Sequence, residues 1–157
     1  MAKEFNIRRV VTGHTADGKA TVEIDEISKN VLSKRPGQTS TVVWATDETT
    51  PDMGTLNDIS ADVKQTVVEN GSVCRISRFE PGVAPRVHRT ASIDYAIILS
   101  GKLDMELDDG ETVHLNAGDI VVQRATMHNW INPGPEDCIV AFILIHAKMP
   151  DGIEPIG

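Results

Sequence analysis

The sequence predicts an all-β sandwich or barrel, and three observations carry the prediction. Short segments rich in β-branched residues follow one another from Gln65 to His146. Turn signals separate them: Asn70-Gly71, Pro81-Gly82, Ser100-Gly101, Asp109-Gly110, Gly118-Asp119 and Pro133-Gly134-Pro135. No stretch carries the 3.6-residue apolar period of a long amphipathic helix. Many short strands punctuated this way are the pattern of a sandwich or barrel.

The elements follow in order. Residues 5–12 and 19–26 read as two strands around a turn at Asp17-Gly18, since Asp-Gly suits a tight hairpin. Residues 28–38, with Pro36-Gly37, read as a loop, and residues 39–46 (TSTVVWAT) as a β-branched strand. Residues 47–62 are polar, with Pro51 and Gly54, and read as a loop with a short helical turn. Further strands are expected at 65–69, 72–79, 87–90, 93–99, 102–107, 111–115, 119–124, 127–132 and 138–146. Residues 1–64 are expected to supply N-terminal strands and a loop of the same domain, and residues 65–157 the barrel.

The bulk properties narrow the function classes. A chain of 157 residues is one domain's worth and buries a core without staples. Its net charge of −8 opposes nucleic-acid binding, which needs Lys and Arg to neutralise phosphates. Arg8-Arg9 and Lys34-Arg35 are too small to make a basic groove. Two cysteines, Cys74 and Cys138, sit in apolar runs as free thiols do, so a reducing cytoplasm is expected. The N-terminus lacks a signal-peptide core, and the apolar run Ile139 to Ile145 is too short to span a bilayer, so no membrane partner is expected. Neither a phosphate-cradling Gly-rich loop nor a G-x-S-x-G elbow occurs.

Chemistry concentrates between Gly82 and Asn132. Side chains alternate faces along a strand, so His88 shares a face with Thr90, Asp94 with Ala96 and Ile98, and His128 with Trp130 and Asn132. A barrel turning these faces inward gathers two imidazoles and a carboxylate. That set serves acid/base chemistry, or one divalent ion: Fe, Zn or Mn. Asn132 is expected to bond backbone groups at a strand end, Tyr95 to pack, and only one of Gln123 and Arg124 to face inward. His14, His114 and His146 are expected at the surface or an edge.

The spacing of these residues resembles the cupin superfamily. Its first motif is matched by Gly82, His88 after five residues, Thr90 after one, Asp94 after three and Gly101 after six. The second is matched by Gly118, Ala125 near the usual glycine, His128 and Asn132, with Arg124 where a proline is usual and the segment one residue shorter. The resemblance covers about residues 65–146 and implies a double-stranded β-helix (jelly-roll) barrel with an N-terminal strand extension. It also implies a homodimer joined through that extension, which agrees with edge strands otherwise left unpaired. His88 and His128 stand at ligand positions. Thr90 replaces the family's second His, and Asp94 its Glu, one methylene shorter, which weakens the case for a metal.

The expected function is an enzyme acting on a small oxygenated metabolite as a lyase, dehydratase, decarboxylase or isomerase. His88 or His128 would move the proton and Asp94 would set the imidazole tautomer. Ala96, Ile98, Leu103, Met105 and Trp130 are expected to line a mostly apolar substrate pocket, suited to a ring or short acyl chain. Two alternatives stand beside it: an Fe(II) dioxygenase using His88, His128 and Asp94 as a facial triad, and a non-catalytic small-molecule-binding protein.

Overall fold

The computed structural model describes residues 3–157, leaving Met1 and Ala2 outside the description. Its strands are β1 (Arg8–His14), β2 (Ala20–Ile27), β3 (Val31–Arg35), β4 (Gln38–Thr46), β5 (Ser72–Phe79) and β6 (Ser92–Ser100). They continue with β7 (Lys102–Glu106), β8 (Thr112–Asn116), β9 (Ile120–Arg124), β10 (Asn129–Ile131) and β11 (Cys138–His146). Single 3-10 turns at Ser60–Asp62 and Asp108–Gly110 are the helical elements among the described residues.

Three sheets form. β1 and β2 make a separate antiparallel hairpin, β10-β7-β8 a three-stranded sheet, and β3-β4-β5-β11-β6-β9 a six-stranded sheet. The two larger sheets share one core. Val42, Val73, Ala96, Ile98, Val140 and Phe142 enter from the larger, and Leu103, Met105, Leu115 and Trp130 from the smaller. Contact between the sheets is direct: the Trp130 and Phe142 rings meet edge-on with centroids 5.7 Å apart. Strict alternation along β6 buries Ser92, Asp94, Ala96 and Ile98 and turns Tyr95 toward the other face.

Three of the predicted segments differ in the structure. Residues 28–38 contain β3, because Pro36-Gly37 closes a hairpin in which Arg35 pairs with Gln38. Gly37 has φ of +80°, the left-handed conformation a Pro-Gly turn requires. Residues 65–69 form bends leading into a turn rather than a strand; Val68 is buried and the Gln65 carbonyl accepts from the Arg75 guanidinium. Residues 87–90 reduce to isolated bridges, His88 with His128 and Arg89 with Ile156. The barrel also begins earlier than residue 65, because β3 and β4 are integral to the six-stranded sheet.

The N-terminal hairpin is fastened by Arg9, whose guanidinium is buried. It donates to Glu26, Asp58, the Ser60 hydroxyl and the Val43 carbonyl. Among the described residues no helix is long and apolar enough to cross a membrane.

Gly101 turns β6 into β7 at φ +77°, and a Cβ there would stand 2.4 Å from the Asp137 carbonyl oxygen. Gly101→Ala is therefore expected to cost about 1–3 kcal/mol, read as a lower urea midpoint at unchanged slope. The hairpin leaves Val10 and Val22 half exposed. The homodimer expected from the sequence would cover them. Light scattering at twice the chain mass is the expected outcome, and a monomer at all concentrations rejects it.

Candidate functional site

One cavity opens between the sheets, enclosing about 540 Å³ with its solvent mouth included. The smaller sheet side contributes His128 and Trp130, and His88 lies on the segment bridged to His128. The larger sheet contributes Gln38 and Ser40 from β4, Arg75, Ser77 and Phe79 from β5, Asp94 from β6, and Phe142 and Leu144 from β11. Lys34, Arg35, Thr66 and Arg86 complete it.

The two histidines are placed by backbone. The His88 amide donates to the His128 carbonyl at 3.1 Å and the His128 amide to the His88 carbonyl at 3.0 Å. This reciprocal pair puts both side chains on one face, with ring centroids 4.3 Å apart. Each Nδ1 lies 2.9 Å from the carbonyl oxygen two residues before it, Arg86 for His88 and Thr126 for His128. A carbonyl only accepts, so each Nδ1 carries the proton and each Nε2 keeps its lone pair. Burial, then the neighbouring His128, and more weakly Arg86 and Arg35, depress the His88 pKa to about 3. Burial and Arg86 also depress His128. Both rings are neutral at pH 7.

Asp94 is held differently. The Ser92 hydroxyl donates to it at 2.6 Å and is itself 2.8 Å from the Thr90 hydroxyl. Burial raises the Asp94 pKa to about 6, against the lowering effects of the Ser92 bond and of Arg75. This corrects the expectation that Asp94 sets an imidazole tautomer, because backbone carbonyls do so. Among the described residues no three His, Cys, Asp or Glu side chains gather closely enough to hold an ion. His88, Asp94 and His128 share a cavity but form no facial triad. Thr90, at the position of the family's other His, has its hydroxyl engaged by Ser92. The donors present are two imidazoles, short of the three protein ligands of a catalytic metal site.

The predicted lining is corrected as well. Trp130 faces the cavity, but Ala96, Ile98, Leu103 and Met105 fill the closed core instead. Alternation had their face right; it carries no information on depth along the barrel. Gln123 points inward to the Met105 sulfur and Arg124 is exposed. Asn132 donates to the Phe79 and Glu136 carbonyls, fixing the end of its strand. His14 and His114 are exposed, and His146 accepts from the Asn70 amide. The wall is polar and cationic where an apolar one was expected. Arg75, Arg86, Gln38 and the Lys34-Arg35 pair were missed. One signal was available: in Val73-Cys74-Arg75-Ile76-Ser77, parity places an arginine on the face that buries Val73.

Fold and paired histidines define a double-stranded β-helix protein of the cupin type. Residues 75–145 match the Cupin_2 family (Cupin domain), and the chain belongs to that family. Over 129 residues it is 35% identical to the cupin-domain-containing oxidoreductase fogC of Aspergillus ruber, covering 79% of this chain and 63% of that protein. It is 33% identical over 133 residues to phomopsin biosynthesis cluster protein D of Diaporthe leptostromiformis, covering 79% of this chain and 69% of that one. Among solved structures, a conserved protein with a double-stranded β-helix domain from Klebsiella pneumoniae matches with a TM-score of 0.53. Identity there is 21%, over 75% of this chain and 84% of that one, which shows the fold. The chain thus spans under two thirds of the fogC length.

Asp94 yields a stability test. Its folded pKa, about 6, lies above its ordinary value of 3.8. Between those values the unfolded chain releases the proton while the folded one keeps it, so rising pH costs the native state stability. Asp94→Asn escapes that cost. Its stability relative to wild type is expected to grow from pH 4 to pH 7 by about 3 kcal/mol at most. Urea unfolding of both proteins at each pH checks this. The histidines titrate in both and cancel in the difference.

Proposed function

We propose that the protein is a cupin enzyme that moves a proton on a small oxygenated organic metabolite, in a lyase, dehydratase, decarboxylase or isomerase reaction. One observation carries the reading: two adjacent buried imidazoles, each with Nδ1 tied to a carbonyl and Nε2 left as a base. The backbone bonds fix tautomer and ring orientation, as a positioned general base requires. One histidine accepts the proton at Nε2. Like-charge repulsion disfavours a second proton on its neighbour 4.3 Å away, so the partner stays neutral and can donate only through Nδ1, already engaged. Asp94, raised to about 6 and held by Ser92, is the group of this site moved toward neutrality and able to exchange a proton there. Trp130, Phe142 and Leu144 exclude water from one side of the bound molecule.

The test uses the whole protein with a small-acid metabolite extract in D2O, followed by mass spectrometry. The expected outcome is consumption of one metabolite with solvent deuterium in its product. The His88→Ala, His128→Ala double variant should be slower by roughly 10²–10⁴-fold. A double variant as fast as wild type rejects the reading. The oxidoreductase names of relatives favour a second reading, redox chemistry on the same metabolite. Label from ¹⁸O₂ entering the product would select it.

A further inference from the structure

We propose that Arg75, Arg86 and Gln38 form a subsite for the carboxylate end of a small organic acid carrying a hydroxyl group. This deepens the reading above by naming the substrate class, and rests on that reading only in sharing its cavity.

Four cationic side chains line the cavity: Lys34, Arg35, Arg75 and Arg86. Among the described residues, none forms an ion pair with an Asp or Glu side chain. Three of them have neutral partners: Arg75 donates to the Gln65 carbonyl, Arg35 to the Ala84 carbonyl and Lys34 to the Lys64 carbonyl. Arg86 donates to the Thr66 hydroxyl and to an oxygen of Gly157, the last residue. Asp94 is the one carboxylate in the lining, and it is bonded to Ser92. Burial, Arg86 and Asp94 together leave the Arg75 pKa lowered to about 10, and Lys34 and Arg35 are lowered by burial and by their cationic neighbours. Like charges crowded in a poorly solvated cavity raise the energy of the protein by itself, which an anion would relieve.

Two buried polar atoms in this lining are also unsatisfied. Arg75 Nε and Gln38 Oε1 have no hydrogen-bond partner among the described residues, although both residues are more than nine-tenths buried. Buried polar groups are ordinarily bonded, and each orphan costs about 1–3 kcal/mol. Arg75 Nε can only donate, so it asks for an acceptor. Gln38 Oε1 can only accept, so it asks for an O–H or N–H. A hydroxy acid offers both. The residues belong to neighbouring strands, with Gln38 opposite Phe79 and Arg75 two inward rows further along, and both line the same cavity. Phe79, Phe142 and Leu144 supply apolar contact for its carbon skeleton.

A carboxylate fits better than a phosphate. Phosphate sites commonly add successive backbone amides, at a helix N-terminus or a glycine-rich turn, to their Arg and Lys side chains. This lining is made of side chains projecting from strands. The planar guanidinium of Arg75 matches the planar carboxylate, in two parallel bonds when the approach is side-on.

The experiment is thermal shift and calorimetry on the full chain with malate, lactate, mandelate and 3-hydroxybutyrate, each against its neutral amide and against sulfate at equal ionic strength. At least one acid should raise the melting temperature and bind at least tenfold more tightly than its amide or sulfate. Arg75→Met should weaken that acid at least tenfold. Gln38→Glu, which places an anion among the cations, should raise the free protein's melting temperature and abolish acid binding. It keeps the test decisive where Arg75→Met fails to fold. The proposal is overturned if no acid binds, if amides or sulfate bind equally, or if Gln38→Glu binds the acid as wild type does. The His88→Ala, His128→Ala double variant should retain acid binding. Binding without any turnover in wild type would reject the proton-transfer reading and leave this one standing.

Discussion

The reciprocal hydrogen-bond pair between His88 and His128 is the constraint on which the cavity depends. It is an isolated bridge, outside any continuous strand, and it joins the segment before β6 to the segment before β10. Without it, the ring-to-ring distance would be set by two independent loops. With it, the two imidazoles share one backbone frame, and the carbonyls that fix their tautomers belong to the same short segments. His128 then packs edge-on against Trp130, which packs against Phe142 on the opposite sheet. The histidine pair is thereby braced by the core.

The sequence was most legible where period alone decides. The 65–146 region showed its strands because turn dipeptides separate them, and β5 and β11 fall where the pattern put them. The inward faces of β6, β7 and β10 followed from alternation, and His88 and His128 followed from the motif spacing. What alternation cannot carry is position along the barrel axis. Ala96 and Ile98 share a face with Asp94, yet only Asp94 reaches the cavity. Nor can it show which hydroxyl or carbonyl a polar group will find, so Asp94 turned to Ser92 rather than to an imidazole. β3 was hidden because Pro36-Gly37 is equally the mark of a loop and of a hairpin turn. Lys34 and Arg35 read in sequence only as a pair too small to make a basic groove. Their significance comes from Arg75 and Arg86, distant in sequence and adjacent in the fold.

The cavity carries positive charge inside a protein whose net charge is −8. The two facts are compatible because charges further than about 8–10 Å are screened by salt, while those within a partly desolvated cleft are not. The net negative charge opposes self-association, and the proposed subsite draws on the local cations. Arg86 and Arg35 also help to depress His88. An anion seated among them would counter that influence, so binding and basicity are coupled through the same guanidinium groups.

The β3–β4 hairpin has a consequence for how such a protein diversifies. The residues that match the family begin at 75, and within them lie both histidines and Asp94. Lys34, Arg35, Gln38 and Ser40 lie before that span, on one hairpin that forms a wall of the same cavity. The proposed reacting groups and much of the proposed selecting wall are therefore written in separable stretches of chain. Exchanging a single hairpin would retune what enters while leaving the imidazole pair untouched. Relatives alike over the shared span can thus keep one chemistry and part company over their substrates.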